Sequence, residues 1–120
     1  MKTLRLHGLH DLRLREEPMP FPDEGQALLK IASVGICGSD LHWFSQLGIG
    51  DARLTRPLVL GHEFASTIAD GSCAGQRVTA EPAISCGSCE FCRRGHPNLR
   101  ANVVFAGHSA QDGALRENMV

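Results

Sequence analysis

The chain has 120 residues, 42% of them hydrophobic, which is enough for one modest core and predicts a single domain over residues 1–120. Its 12 basic and 13 acidic residues are spread along the sequence and leave a formal charge of -1. Without a basic stripe to meet phosphates, nucleic acid is not an expected partner. No apolar run approaches the roughly 20 residues of a membrane helix, and the chain does not open with the apolar stretch of a signal peptide. We therefore expect a cytoplasmic protein with no membrane association.

The predicted elements are mostly β-strands. Residues 2–7 and 11–16 alternate polar and apolar around a break at Gly8, which predicts a hairpin. Prolines at positions 18, 20 and 22 exclude a helix interior or a central strand there, and the apolar run that follows predicts a third strand over 26–34. Further strands are predicted over three short segments, 64–68, 77–80 and 114–120.

One short helix is predicted over residues 39–47, with Ser39 or Asp40 as its N-cap. Two glycines bracket Cys37, which is therefore expected at a corner between the third strand and this helix. The sequence lacks a long helical period. The pattern as a whole predicts a mostly β, barrel-like domain with one or two short helices.

Three side chains near glycine corners have the chemistry of a metal site. They are Cys37, His62 and Glu63. A thiolate, an imidazole and a carboxylate are the ligand types of a catalytic zinc that keeps one coordination position open. Spacing alone does not show that they meet, and on the residues alone a small buried cysteine and a solvated turn are the more common interpretation.

Two motifs resemble the signature of the zinc-dependent medium-chain alcohol and polyol dehydrogenases, of which the sorbitol and threonine dehydrogenases are most similar. They are Gly-Ile-Cys-Gly-Ser-Asp-Leu-His at 35–42 and Gly-His-Glu at 61–63. The resemblance implies the N-terminal, GroES-like barrel of the catalytic domain, with Cys37 and His62 as zinc ligands. Glu63 is implied as the third ligand, as in the polyol branch, or as a nearby group that does not itself bind the zinc, as in other branches. The implied reaction interconverts a secondary alcohol or polyol and a ketone with NAD(P).

The resemblance also implies roles for three residues beside the zinc. Zinc polarises the alcohol oxygen and so favours hydride transfer to the nicotinamide. Ser39 is expected to take the alcohol proton and His42 to pass it toward solvent. Asp40 is expected to orient the His62 ring. For Ser39, a plain helix cap is the competing interpretation.

A second cluster consists of three closely spaced cysteines, Cys86, Cys89 and Cys92. It resembles the lobe in which the same dehydrogenases hold a structural zinc through four cysteines, but the fourth position is Arg100, which has no lone pair to donate. Three outcomes stay open. His96 supplies the fourth donor, zinc is held weakly with a water, or the lobe is metal-free with Arg100 paired to a thiolate or to Glu90. We favour an empty or weakly occupied site.

An iron–sulfur interpretation of the same run is weaker, because a bacterial ferredoxin would have a cysteine where His96 precedes Pro97.

The chain also departs from the dehydrogenase pattern at Gln76, usually aspartate, and at Ser66, usually glycine. Residues 61–75 look several residues shorter than usual.

No Gly-x-Gly-x-x-Gly motif occurs in the sequence, so the nicotinamide-binding domain is expected to be absent and catalysis by these residues alone is not expected. The expected partners are a small alcohol or polyol and either the missing C-terminal half or further copies of the chain. The alternative function is a non-enzymatic zinc-binding or partner-binding module derived from the family. A zinc-independent quinone reductase relative is disfavoured by the joint presence of Cys37 and His62.

Overall fold

The structure, a computed structural model, describes residues 1–100, 103–109 and 111–120. Its strands are β1 (Lys2–Gly8), β2 (Asp11–Glu16), β3 (Leu29–Gly35), β4 (Gly48–Ile49), β5 (Ala52–Arg53), β6 (Leu58–Val59), β7 (Glu63–Ile68), β8 (Arg77–Val78), β9 (Ala83–Ile84), β10 (Val104–Phe105) and β11 (Asn118–Met119). Its helices are α1 (Gly38–Gln46), α2 (Glu90–Arg93) and a 3-10 turn at Pro97–Leu99. The predicted mostly β fold with short helices is confirmed. Within the described residues, every helix is too short and too polar to cross a bilayer.

The predicted N-terminal hairpin is confirmed as β1 and β2, which pair antiparallel with Leu4 opposite Leu14. Strand β6 pairs with the other edge of β1, which gives the sheet order β2-β1-β6. The register puts Leu6 and Leu14 on the same face of this sheet, but Leu6 on the central strand is fully buried, whereas Leu14 on the edge strand is exposed.

A second antiparallel sheet, of order β11-β3-β7-β8, determines where the glycine corners lie. Strands β3 and β7 pair so that Gly35, at the end of β3, is opposite Glu63, at the start of β7. The chain that leaves β3 carries Cys37, and the chain that enters β7 carries His62. This register brings two segments together that are separated by 25 residues in the sequence.

Three strand predictions are corrected at their ends. The third strand begins at Leu29 and not at 26, because the backbone N–H of Gln26 donates to the carbonyl of Asp23 at 3.0 Å and closes a turn. Of the strand predicted over 114–120, the structure forms β11 alone, because Leu115 donates instead to the carbonyl of Leu60 at 3.0 Å. The strand predicted over 77–80 ends earlier, at the end of β8.

The predicted helix cap is also corrected. Helix α1 begins at Gly38, and the residue before it is Cys37, so neither Ser39 nor Asp40 is the N-cap. Asp40 lies one turn inside, where its Oδ2 accepts a hydrogen bond from the backbone N–H of Cys37 at 2.9 Å. This hydrogen bond gives a partner to the backbone N–H of Cys37, one of the donors that the start of a helix otherwise leaves without one.

Two apolar clusters form the core. Trp43 of α1 packs with Leu6, Leu58 and Leu60, and all four are at most 2% exposed. The second cluster lies on the other sheet and contains Phe64, Ala114 and Met119. Because Trp43 is anchored in the first cluster, the N-terminal turn of α1 is held in a fixed position near β6 and β7.

A partly buried ion-pair network ties the hairpin to the C-terminal segment. Arg5 donates to both Glu17 oxygens at 2.9 Å and to Asp112 at 3.0 Å. The hydrogen bond from Arg5 is the main reason that the pKa of Glu17 lies below its ordinary value of 4.5.

We predict an acid-dependent loss of stability from Glu17. Its carboxylate stabilises the fold fully above the ordinary pKa of 4.5, and this contribution is lost as the pH falls through the lower pKa of the folded state. Urea unfolding of Glu17→Gln should therefore show a flatter dependence on pH below that value than wild type. Glu24→Gln, at an exposed turn position, is the matched control and should follow wild type. Parallel curves for all three proteins would contradict the prediction.

Candidate metal centre

The structure brings the three sequence-predicted ligands together. One ligand atom from each of Cys37, His62 and Glu63 lies within 4.8 Å of the others. Cys37 and His62 are half-buried, and Glu63 is exposed. Sulfur, imidazole nitrogen and carboxylate oxygen form a donor set that suits zinc with one open position, so the side chains fit the metal that the motifs imply.

Asp40 links the two corners that carry the ligands. Its side chain is 4% exposed, and its Oδ1 accepts a hydrogen bond from the backbone N–H of Gly61 at 3.0 Å while Oδ2 accepts from Cys37. The same Oδ1 lies 3.8 Å from Nδ1 of His62, which is longer than a hydrogen bond. In this geometry Asp40 holds the backbone on either side of the site and also faces the His62 ring.

Two glycine positions make room for the site. A Cβ on Gly35 would lie 2.9 Å from Oε2 of Glu63, so the glycine leaves space for that carboxylate. Gly61 has φ +89°, a conformation that favours glycine, and its carbonyl accepts a hydrogen bond from Ala114 at 2.8 Å. Gly113 packs against Gly61 with no space for a side chain. The backbone next to His62 is therefore in direct contact with the backbone of Gly113.

A pocket of about 390 Å³ opens beside His62. Ser39 and His62 form its polar side, and Oγ of Ser39 lies 3.5 Å from Nε2 of His62. The apolar side chains of the lining are those of Trp43, Ile49, Val103 and Phe105. The volume is in the range of small-molecule sites, which are largely apolar with a few placed polar groups.

Two further histidines have different positions relative to this pocket. His42, the predicted proton relay, is exposed on α1 and is not among the described residues that line the pocket. His108 does line it, with its ring edge-on to Trp43 at 5.3 Å and its Nδ1 2.9 Å from Oγ of Ser109. Sequence reasoning missed His108 because it lies in an irregular stretch without a motif, far in sequence from the ligands.

The three cysteines of the second cluster also converge. Their sulfur atoms lie within 4.8 Å of one another, and those of Cys86 and Cys92 are 3.9 Å apart. Hydrogen bonds from the backbone N–H groups of Ser88 and then Cys89 lower the pKa of Cys86 to about 6. The backbone of this turn is therefore arranged to stabilise a thiolate.

The three outcomes for the fourth ligand can be compared with the structure. Arg100 donates to the carbonyl of Ile84 at 2.9 Å, and Glu90 pairs with Arg94 at 2.9 Å, so the expected pairing of Arg100 with Glu90 is not observed. Among the described residues, the group of donor atoms around these sulfurs does not include His96. Among residues 1–100, 103–109 and 111–120, the lobe thus presents three thiols and no fourth ligand within that distance.

Comparison with known proteins gives a consistent result. The family described as alcohol dehydrogenase GroES-like domain matches residues 23–120. Sorbitol dehydrogenase of Bacillus subtilis is 38% identical over 96% of this chain and 34% of its own length. Among solved structures, L-idonate 5-dehydrogenase of Escherichia coli aligns with a TM-score of 0.88 at 25% identity, over 98% of this chain and 36% of that one. An Escherichia coli alcohol dehydrogenase in complex with NADH aligns with a TM-score of 0.87 at 30% identity, over 99% of this chain and 35% of that one. The chain thus spans about a third of the length of these relatives.

Proposed function

Since the chain belongs to the family of alcohol dehydrogenase GroES-like domains, we propose that it forms the zinc-binding and alcohol-binding part of a zinc-dependent alcohol or polyol dehydrogenase. The reaction would interconvert a secondary alcohol or polyol and a ketone. The observation that carries this proposal is the convergence of Cys37, His62 and Glu63 beside a pocket of small-molecule size. A nicotinamide cofactor, NAD or NADP, would be bound by the part of the enzyme that corresponds to the other two thirds of the relatives.

Each side chain of the site has a distinct task in this proposal. Cys37, His62 and Glu63 would hold the zinc, which when bound polarises the oxygen of the alcohol. Ser39 lines the pocket next to His62, and its hydroxyl would accept the proton of the substrate alcohol. His42, exposed on the same helix, would pass that proton to solvent.

The pocket walls support a small substrate. Half-buried Phe105 would present apolar surface that excludes water from the carbon that loses hydride. The edge of the Phe105 ring packs on His62 at a centroid distance of 5.4 Å and limits the orientations of the imidazole. The relative from Bacillus subtilis is named for sorbitol, which supports a polyol as the substrate class.

We expect the enzyme to work in the cytoplasm, where its thiols stay reduced.

Metal counting tests the ligand assignment. The purified chain should contain about one zinc in the first site, as expected for three protein ligands and an open position, and Cys37→Ser should remove it. Cys73→Ser, at an exposed turn far from both clusters in sequence, is the matched control and should keep the metal. If zinc remains in the first site after the Cys37 replacement, the ligand assignment is wrong.

A graft tests the activity. The chain would replace the aligned N-terminal third of the Bacillus subtilis sorbitol dehydrogenase, and NAD-dependent oxidation of sorbitol and related polyols would be followed at 340 nm, the absorbance of NADH. We expect measurable activity, and Cys37→Ser in the same graft should lower it by more than the roughly 100-fold that loss of a supporting group costs a metal site. A folded graft that holds zinc and oxidises no alcohol would contradict the proposed reaction.

A further inference from the structure

The lobe formed by Cys86, Cys89 and Cys92 does not fit the four-coordinate zinc that the family pattern implies. Its donor atoms within 4.8 Å are three sulfurs, and Arg100, at the fourth position of the pattern, is occupied with the carbonyl of Ile84. A structural zinc is almost always held by four protein ligands in a tetrahedron. The residues present therefore provide one ligand too few.

The same geometry fits an ion that completes its coordination with three sulfur atoms. Soft thiolate ligands select thiophilic ions, among which Cu(I) and As(III) form stable three-sulfur complexes. We propose that this lobe is a site for a three-coordinate thiophilic ion and not for a structural zinc. Its turn is already arranged for thiolate, because the backbone N–H of Cys92 donates to the sulfur of Cys89 at 3.5 Å.

The charges around the lobe favour Cu(I) among these ions. Three thiolates and one Cu(I) have a net charge of minus two. Between Cys86 and Arg100 the chain has three arginines, at 93, 94 and 100, and a single acid, Glu90, which leaves an excess of two positive charges. This excess offsets the charge of the complex, although solvent screening weakens the contribution of Arg93 and Arg94, which are exposed.

Neither ion needs an oxidant or a reductant. Binding of Cu(I) forms three Cu–S bonds and releases to solvent the protons of those thiols that are not already ionised. Binding of arsenous acid forms three As–S bonds, and each thiol proton leaves with one hydroxide of the acid as water. Cys37 is one thiol without a second in its cluster, so it does not provide an equivalent three-sulfur site.

Arsenite is the first probe, because As(III) reports on three convergent thiols. The reduced chain would be incubated with arsenite, desalted and analysed for arsenic, zinc and sulfur. We expect about one arsenic per chain, as for one three-thiol site. Cys86→Ser, Cys89→Ser and Cys92→Ser should each weaken retention by about tenfold or more, and Cys73→Ser should not. Circular dichroism of each variant shows whether the fold is intact. A Cu(I) titration against a competing chelator should give the same pattern.

A gain-of-ligand variant gives the converse test. Arg100→Cys should add a fourth thiolate, so that the zinc content rises by about one per chain and zinc in the lobe resists arsenite. The proposal would be overturned if wild type binds no arsenite, or if each serine variant binds it as wild type does. It would also be overturned if the wild-type lobe already holds a zinc that arsenite does not displace. None of these outcomes depends on the first metal site, which Cys37→Ser tests separately.

Discussion

Replacing Asp40 by alanine should lower the free energy of unfolding by about 2–5 kcal/mol, since two backbone donors would lose their acceptor and each such loss costs roughly 1–3 kcal/mol. The donors are the N–H groups of Cys37 and Gly61, and Asp40 itself is almost fully buried. Cys37 is itself a proposed zinc ligand and Gly61 directly precedes another, His62, so the first site should also bind zinc at least about tenfold more weakly. Urea unfolding and zinc competition measure the two effects.

Two further variants make this prediction specific. Asp40→Asn keeps the volume but has one acceptor oxygen in place of two, so its stability should lie between those of wild type and Asp40→Ala. Asp51→Ala, at an exposed turn position between β4 and β5, should leave both readouts unchanged. Wild-type stability and zinc affinity in Asp40→Ala would show that Asp40 does not hold the two corners together.

Gly113→Ala should destabilise the protein by about 3 kcal/mol or more, the upper range for overpacking a close contact. A Cβ there would lie 2.6 Å from the carbonyl oxygen of Leu60, 2.8 Å from Cα of Gly107 and closer still to the carbonyl oxygen of Gly61. All three are backbone atoms, so no side-chain rotation relieves the clash. Thermal unfolding should shift down by about 10 °C or more.

The control for Gly113 is Gly8→Ala. No atom lies within 4 Å of a Cβ built at Gly8, and its backbone conformation is open to alanine. Its stability should stay within about 0.5 kcal/mol of wild type. An unchanged melting temperature for Gly113→Ala would contradict the packing of Gly113 on Gly61. If Gly113→Ala lowers the melting temperature and leaves the zinc affinity unchanged, the substitution affects the stability of the fold and not the metal site.

The sequence predicted the parts of this fold that depend on local patterns. Polar and apolar residues alternate over 2–7 and 11–16, and this alternation predicted the hairpin. A strand is the element in which every second side chain points to the same face, so the pattern indicates a half-buried strand. The position of Cys37 between a strand and a helix followed from its flanking glycines. The mostly β fold of the family was identified from two short motifs and is confirmed by the domain match.

What depends on long-range contacts could not be predicted from patterns. Convergence of Cys37 with His62 follows from the register between β3 and β7, which no local signal encodes. The predicted helix cap was wrong because the helix starts earlier, with Cys37 as its N-cap. Asp40 lies in the first turn, where its carboxylate accepts hydrogen bonds from the backbone N–H groups of Cys37 and Gly61. The wall of the pocket that contains His108 comes from an irregular segment, where periodicity is uninformative.

The two metal-binding clusters differ in the chain entropy of bringing their ligands together. Cys86, Cys89 and Cys92 lie within seven consecutive residues, so closing that loop has a small entropic cost even in an unfolded chain. Cys37 and His62 are 25 residues apart and meet through the pairing of β3 with β7, so their affinity for a metal is part of the folding free energy. Heat or denaturant should therefore release the ion of the first site together with global unfolding, whereas the cysteine lobe should retain its ion in the denatured ensemble.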